Sequence, residues 1–237
     1  MATTLRINKF FTQHGICSRR EADRLIEAGR VTINQQIAKI GDQVGPHDVI
    51  ARDGQVIPWV NAPIYLKYHK PIGVTTTSEA HVPRNIIAEI GHPERIFPIG
   101  RLDKDSSGLI LLTNDGDIVN EVLRTEHGHE REYDVTVDHP FDQSFIDRMT
   151  RGVMILDRPT KPCRIERFAP ARFRIILTEG RNRQIRRMCQ VLGYRVTRLN
   201  RIRIMHITIE GLGEGEWAEL TEGEREGLLK AVGRPMP

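Results

Sequence analysis

Residues 109–113 (LILLT) carry no charge and lie between the polar stretches RLDKDSSG and NDGD. A run this short, bounded by turn residues on both sides, is a buried strand rather than one stripe of a helix. A buried strand needs partners, and the surrounding sequence supplies them. Residues 64–68 (IYLKY) read as a strand ended by Pro71 and Gly73, residues 132–137 (EYDVTV) alternate as a half-buried strand, and residues 173–178 (FRIILT) form another. Further strands are expected at 195–199 and 204–209, with helices at 85–90, from Gly116 or Asp117 to Leu123, at 141–149 and at about 182–192. Strands broken by a few helices, without regular strand–helix alternation, predict an α+β fold with a mixed, mostly antiparallel sheet rather than a doubly wound one.

The first sixty residues have a different character. Ser18 and Glu21 form S-x-x-E, a helix-opening signature, ahead of Ala22, Leu25 and Ile26 on one face, and Gly29 stops the helix. A strand at 31–33 turns through Asn34 toward Ile37, and a further alternation ends near Ile57. Two helices and a small sheet make a compact module, and residues 58–63 (PWVNAP) a linker. The expected organisation is a small domain at 1–60 and a larger one at 61–237. Arg19, Arg20 and Arg24, beside Arg6 and Lys9, either line a nucleic-acid backbone or form an ordinary solvated face.

With 39% hydrophobic and 28% charged residues, the chain can bury a core. The start MATTLRINKF has no apolar signal core and no window reaches the roughly 18 apolar residues of a membrane span, so a soluble, cytoplasmic protein is expected. Cys17, Cys163 and Cys189 are scattered without C-x-x-C, against a disulfide framework or a thiolate zinc site. The net charge of +4 conceals an uneven distribution: residues 181–203 hold eight arginines and no acid, and residues 210–226 hold seven glutamates. Such arginine density suits phosphate contacts, although a basic face balanced by an acidic tail is the plainer alternative.

Within RLDKDSSG, Asp103 has three readings: turn residue, metal ligand or catalyst. Asp103-x-Asp105-x-Ser107-Gly108 imitates the start of a calcium loop, but Asn114 occupies the position of the bidentate glutamate, and a strand follows. The histidines lack H-E-x-x-H or similar spacing, and no Walker loop is present. A cofactor-free carboxylate site or a structural turn remains.

Two resemblances narrow this further. R-x-N-K-F at 6–10, S-R-R-E-A-x-x-L-I-x-x-G-R-V at 18–31 and Asn34 resemble the S-four RNA-binding domain. FPIGRLDKDSSGLILLTNDG, the Arg131-Glu132-Tyr133 strand start and EGRNRQIRRM resemble the RNA pseudouridine synthases of the RsuA/RluF type. That resemblance implies isomerisation of uridine in RNA with no cofactor and no metal, most naturally in bacterial 23S ribosomal RNA, with 16S RNA or a tRNA as other targets, by a monomer. A non-catalytic RNA-binding or assembly protein is the alternative. It implies Asp103 as the catalytic carboxylate, Arg186 as its cationic partner and Tyr133 as an aromatic platform for the base. Ile185 would lie beneath the target base, and Arg101 would help to hold a flipped nucleotide. Arg181, Arg183 and Arg187 would meet RNA phosphates or cover a helix surface. Asp105, the second carboxylate a glycoside hydrolase would need, is expected to face solvent.

Overall fold

A computed structural model describes residues 4–59 and 62–234. Val60 and Asn61, in the middle of the expected linker, lie outside the described residues. The chain divides into two compact units: Met1–Ile64 with His92–Ile96 and Thr113–Gly116, and Tyr65–Gly91 with Phe97–Leu112 and Asp117–Pro237.

In the first unit, helices Ile7–Gln13 and Arg19–Glu27 pack through Ile7, Phe10, Phe11, Ala22, Leu25 and Ile26. Ser18 caps the second helix, its hydroxyl accepting from the Glu21 amide at 3.2 Å, as the S-x-x-E spacing suggests. Strands Gln36–Ile37, Val31–Ile33, Ile50–Arg52 and Gln55–Ile57 form a four-stranded antiparallel sheet in that order.

The second unit is built on a nine-stranded sheet. Its main path runs Arg164–Ala169, Arg172–Leu177, Arg131–Val137, Val196–Ile204, Ser107–Thr113, Tyr65–Lys70, Trp217–Glu219. Pairing is antiparallel from the first edge as far as Val196–Ile204, whereas Val196–Ile204 and Ser107–Thr113 run parallel. The sheet is mixed and mostly antiparallel, as expected. Every residue of Ser107–Thr113 is buried, so the apolar run at 109–113 forms an interior strand. It approaches its parallel neighbour very closely at Gly108, where φ is +118° and a Cβ would lie 2.3 Å from the Arg201 carbonyl oxygen. Only glycine fits there.

Helices Gln143–Arg151 and Gln184–Val191 contribute Phe145, Met149, Ile185, Met188 and Cys189 to one core, with Val135, Phe173 and Ile175 from the strands. Leu109, Leu111, Ile118, Val122, Leu228 and Leu229 belong to a second core. Cys163 and Cys189 are buried, and burial pushes each thiol up to about 12, leaving them unreactive.

Two expectations need correction. Residues 195–199 and 204–209 are not two strands of similar length: one continuous strand, Val196–Ile204, turns at Met205 into the short Ile207–Thr208. Its polar middle reads as a break, but Asn200 accepts from the Ser107 hydroxyl and the Arg201 Nε donates to the Leu109 carbonyl on the neighbouring strand. The acidic segment is no tail. It contains helix Glu222–Ala231, opened by a Thr221–Glu224 capping box, with Glu224 accepting from Lys67 at 2.7 Å. Edge strand Arg164–Ala169 has no sequence signal because all six of its residues are at least partly exposed.

Candidate active site

The loop carrying Asp103 is held from behind. The buried Thr76 hydroxyl donates to the Leu102 carbonyl at 2.7 Å and accepts from the Leu102 amide at 3.3 Å, and the Gly73 amide donates to Lys104 at 2.8 Å. The Ser106 amide donates to the Asp103 carbonyl at 3.1 Å, closing the turn. Fully buried Lys70 braces the 70–74 segment by donating to the Pro71 and Val74 carbonyls, and burial lowers its pKa to about 8. Asp103 therefore projects from a fixed backbone, with its side chain 34% exposed.

A cleft of about 470 Å³ opens beside it, lined by Arg101, Asp103, Tyr133, Ile185, Leu199 and Arg201 among others. Tyr133 stands opposite Ile175 and Arg201 in the sheet, half-buried beside the first core. Ile185 is 4% exposed and supplies apolar wall from the first turn of Gln184–Val191. The structure thus gathers Asp103, Tyr133, Ile185 and Arg101 around one cavity, from segments far apart in sequence.

The charges are arranged differently from the sequence expectation. Arg183, not Arg186, makes the ion pair with Asp103, at 3.4 Å. Arg183 also grips Asp105 with both terminal nitrogens, at 3.0 and 2.8 Å, and this hydrogen bonding raises the guanidinium pKa while lowering that of Asp105. Arg186 lies behind, donating to the Asp105 and Val196 carbonyls and to the Ser106 hydroxyl, with its Nε 3.5 Å from Asp105. Burial lowers its pKa, and it ties the loop to the helix and strand behind. The exchange has a local cause: Arg183 takes the left-handed conformation (φ 50°) at the helix N-cap, turning its side chain toward the carboxylates. Asp105 is an ion-pair partner of both arginines and, as expected, faces solvent, with its side chain 49% exposed.

Arg181 is not placed for phosphate. Its guanidinium donates to the carbonyls of Ile155, Arg158 and Pro159, and its Nε lies 3.5 Å from buried Glu179. Glu179 in turn accepts from Gln184 and from the Lys161 amide. Arg187 is turned back onto Asn182. In the first unit, Arg6, Arg19 and Arg20 are exposed, Lys9 is half-buried, and Arg24 pairs with Glu21 at 3.2 Å while remaining 76% exposed.

Three residues of this architecture, Lys70, Thr76 and Arg201, were not singled out by motif, and Arg131 was quoted in a motif but given no role. Arg201 is 4% exposed, donates to the Leu109 carbonyl at 2.6 Å, and has a buried Nη2 without a partner among the described residues. Arg131 is buried beside the cleft, donating to the Val122 carbonyl; burial lowers its pKa and Tyr133 opposes that shift. A buried arginine inside an alternating strand breaks the apolar pattern, and that is the signal that could have found both.

Residues 64–191 match the family described as RNA pseudouridylate synthase, and residues 5–50 match the S4 domain. The chain is 49% identical over 232 residues to the dual-specificity RNA pseudouridine synthase RluF of Escherichia coli K12, covering 97% of this chain and 80% of that protein. It is 31% identical to ribosomal large subunit pseudouridine synthase B of Bacillus subtilis, covering 92% of this chain and 93% of the relative. A crystal structure of a pseudouridylate synthase superposes with a TM-score of 0.69 at 30% identity, covering 94% of this chain and 99% of that one.

Proposed function

From the premise that this chain belongs to the RNA pseudouridylate synthase family, we propose that Asp103 is its catalytic group and a uridine of 23S ribosomal RNA its target. The enzyme isomerises uridine to pseudouridine, and RNA is its partner. The observation that carries the site assignment is the Asp103 carboxylate, held on a braced turn at the cleft with a cation 3.4 Å away and Tyr133 lining the same cavity. We assign residues 1–60 to RNA binding and 61–237 to catalysis, acting as a monomer in the cytoplasm.

The reaction keeps every atom of the nucleoside. The C1′–N1 bond breaks with its electron pair leaving on the base, the base turns, C5 bonds to C1′, and the C5 proton is lost as N1 gains one. Asp103 acts either as a nucleophile or as a base on the sugar, and both roles need its ionised form. Arg183 sets a positive charge 3.4 Å from it. Tyr133 offers a face to the base, and stacking worth roughly 1–3 kcal/mol offsets much of the cost of flipping a uridine out. Arg101 is exposed and lines the cleft, which supports a role in holding the flipped nucleotide.

Release of tritium from C5-labelled, unmodified 23S, 16S and tRNA transcripts tests this reading. Release from the 23S transcript by the intact protein, and none by Asp103→Asn with RNA affinity retained, is expected. Release by the variant, or loss of binding equal to the loss of activity, contradicts the assignment. A tRNA transcript belongs in the set because the Escherichia coli relative is named for dual specificity.

A further inference from the structure

The hairpin formed by Met154–Ile155 and Arg158–Pro159 turns through Leu156 and Asp157, both at positive φ (50° and 61°). Two-residue hairpins of this kind favour asparagine, aspartate or glycine at the first position, and an aliphatic side chain resists the left-handed region. Leu156 is nevertheless there and 51% exposed, with Met154 at 58%, while Ile155 points into the core. The strained tip is held firmly: Arg181 donates to the carbonyls of Ile155, Arg158 and Pro159, and is itself a wall of the catalytic cleft. Strain maintained by such bracing is a mark of a working surface.

The surroundings indicate what that surface meets. Arg148, Arg151, Arg158 and Lys161 are exposed, and none takes part in an ion pair among the described residues. Arg148, Arg151 and Met154 line one groove of about 270 Å³. Asp157 is the carboxylate at the tip. An apolar wedge beside unpaired cations matches nucleic acid, in which apolar side chains insert at base steps and cations neutralise the phosphates alongside.

We propose that the 154–159 hairpin is a second RNA contact, in which Leu156 wedges against an unstacked base beside the cleft while Arg148, Arg151, Arg158 and Lys161 meet the adjoining phosphates. The inference rests on the reading that the substrate is RNA and adds to it a specific surface outside the catalytic cavity. Through Arg181 the same surface is continuous with the loop that presents Arg183 to Asp103.

The test compares the full-length protein with Leu156→Asn and Leu156→Met, measuring Kd for the 23S transcript, Tm, and tritium release. Asparagine is at ease in this turn, so Leu156→Asn should raise Tm by about 2–4 °C while weakening RNA binding about tenfold. Leu156→Met keeps both the strain and the apolar wedge, and should leave both quantities within about twofold or 1 °C of wild type. A gain in stability with a loss of affinity is something a merely structural tip would not produce. Unchanged affinity in Leu156→Asn, or a fall in Tm and affinity together, overturns the proposal; so does RNA-independent self-association that Leu156→Asn abolishes. If wild type releases no tritium but its RNA affinity depends on Leu156, the catalytic reading fails and the hairpin contact stands. If wild type is active and Leu156→Asn binds equally well, the hairpin inference alone fails.

Discussion

Arg183 and Arg186 are three residues apart and have different duties, which substitution can separate. Arg183→Met removes the cation beside Asp103 and should slow single-turnover tritium release by about 10²-fold. It should shift stability little, because its ion pairs are 40% or more exposed on the arginine side. Arg186→Met leaves the Val196 and Asp105 carbonyls and the Ser106 hydroxyl without a donor, and should cost about 2–3 kcal/mol in denaturant unfolding. Equal effects of both on both readouts would refute the division. Lys70 offers a pH test at the same scale. Its pKa falls from 10.5 to about 8, through burial first and then Arg201. Between those values the unfolded chain holds a proton that the folded chain has released, so stability rises with pH through that window, and the full penalty applies below it. The rise is worth about 3 kcal/mol at most; the buried thiols, raised to about 12, lower both proteins alike above pH 9, so the gap between wild-type and Lys70→Met denaturant midpoints should move in favour of wild type from pH 7.5 to 10, and an unchanged gap would refute it.

At the scale of elements, the close join between Ser107–Thr113 and Val196–Ile204 depends on Gly108. Gly108→Ala drives a Cβ to 2.3 and 2.4 Å from Arg201 backbone atoms, and should cost at least about 3 kcal/mol, read as a lower urea midpoint. A midpoint within experimental error of wild type would contradict the packing described. The same elements show what the sequence made legible. LILLT, EYDVTV and FRIILT announced their strands because apolar side chains face the cores. Asp103, Tyr133 and Ile185 were legible because three motifs in a fixed order carry them, and the cleft unites them. The partner of Asp103 was not, because it turns on the φ of Arg183, a backbone angle that spacing does not encode. Thr76 and Lys70 escaped notice for a related reason: they act on backbone carbonyls, and no motif marks a carbonyl acceptor.

Across the whole molecule, charge has two distinct uses. Much of the arginine cluster at 181–203 is spent internally, on carbonyls and carboxylates. Arg19 and Arg20, exposed on their helix, are better placed for long-range attraction to RNA. Their joint replacement by alanine should weaken binding and flatten the dependence of log Kd on log salt by roughly 1.5–2 units, measured by titration at several salt concentrations. An unchanged slope would remove them from the interface. Among the described residues no helix is long and apolar enough to cross a membrane.

The parallel join also bears on when activity can first exist. Asn200 pairs with Ser107 and Arg201 with Gly108, so the floor of the cleft closes only after a loop of roughly ninety residues has been drawn together, an entropically slow step. During synthesis Asp103 emerges before Tyr133, before Arg183 that pairs with it and before the strand Val196–Ile204. A chain stalled before Val196 would carry Asp103 without the strand whose Leu199 and Arg201 line the cleft.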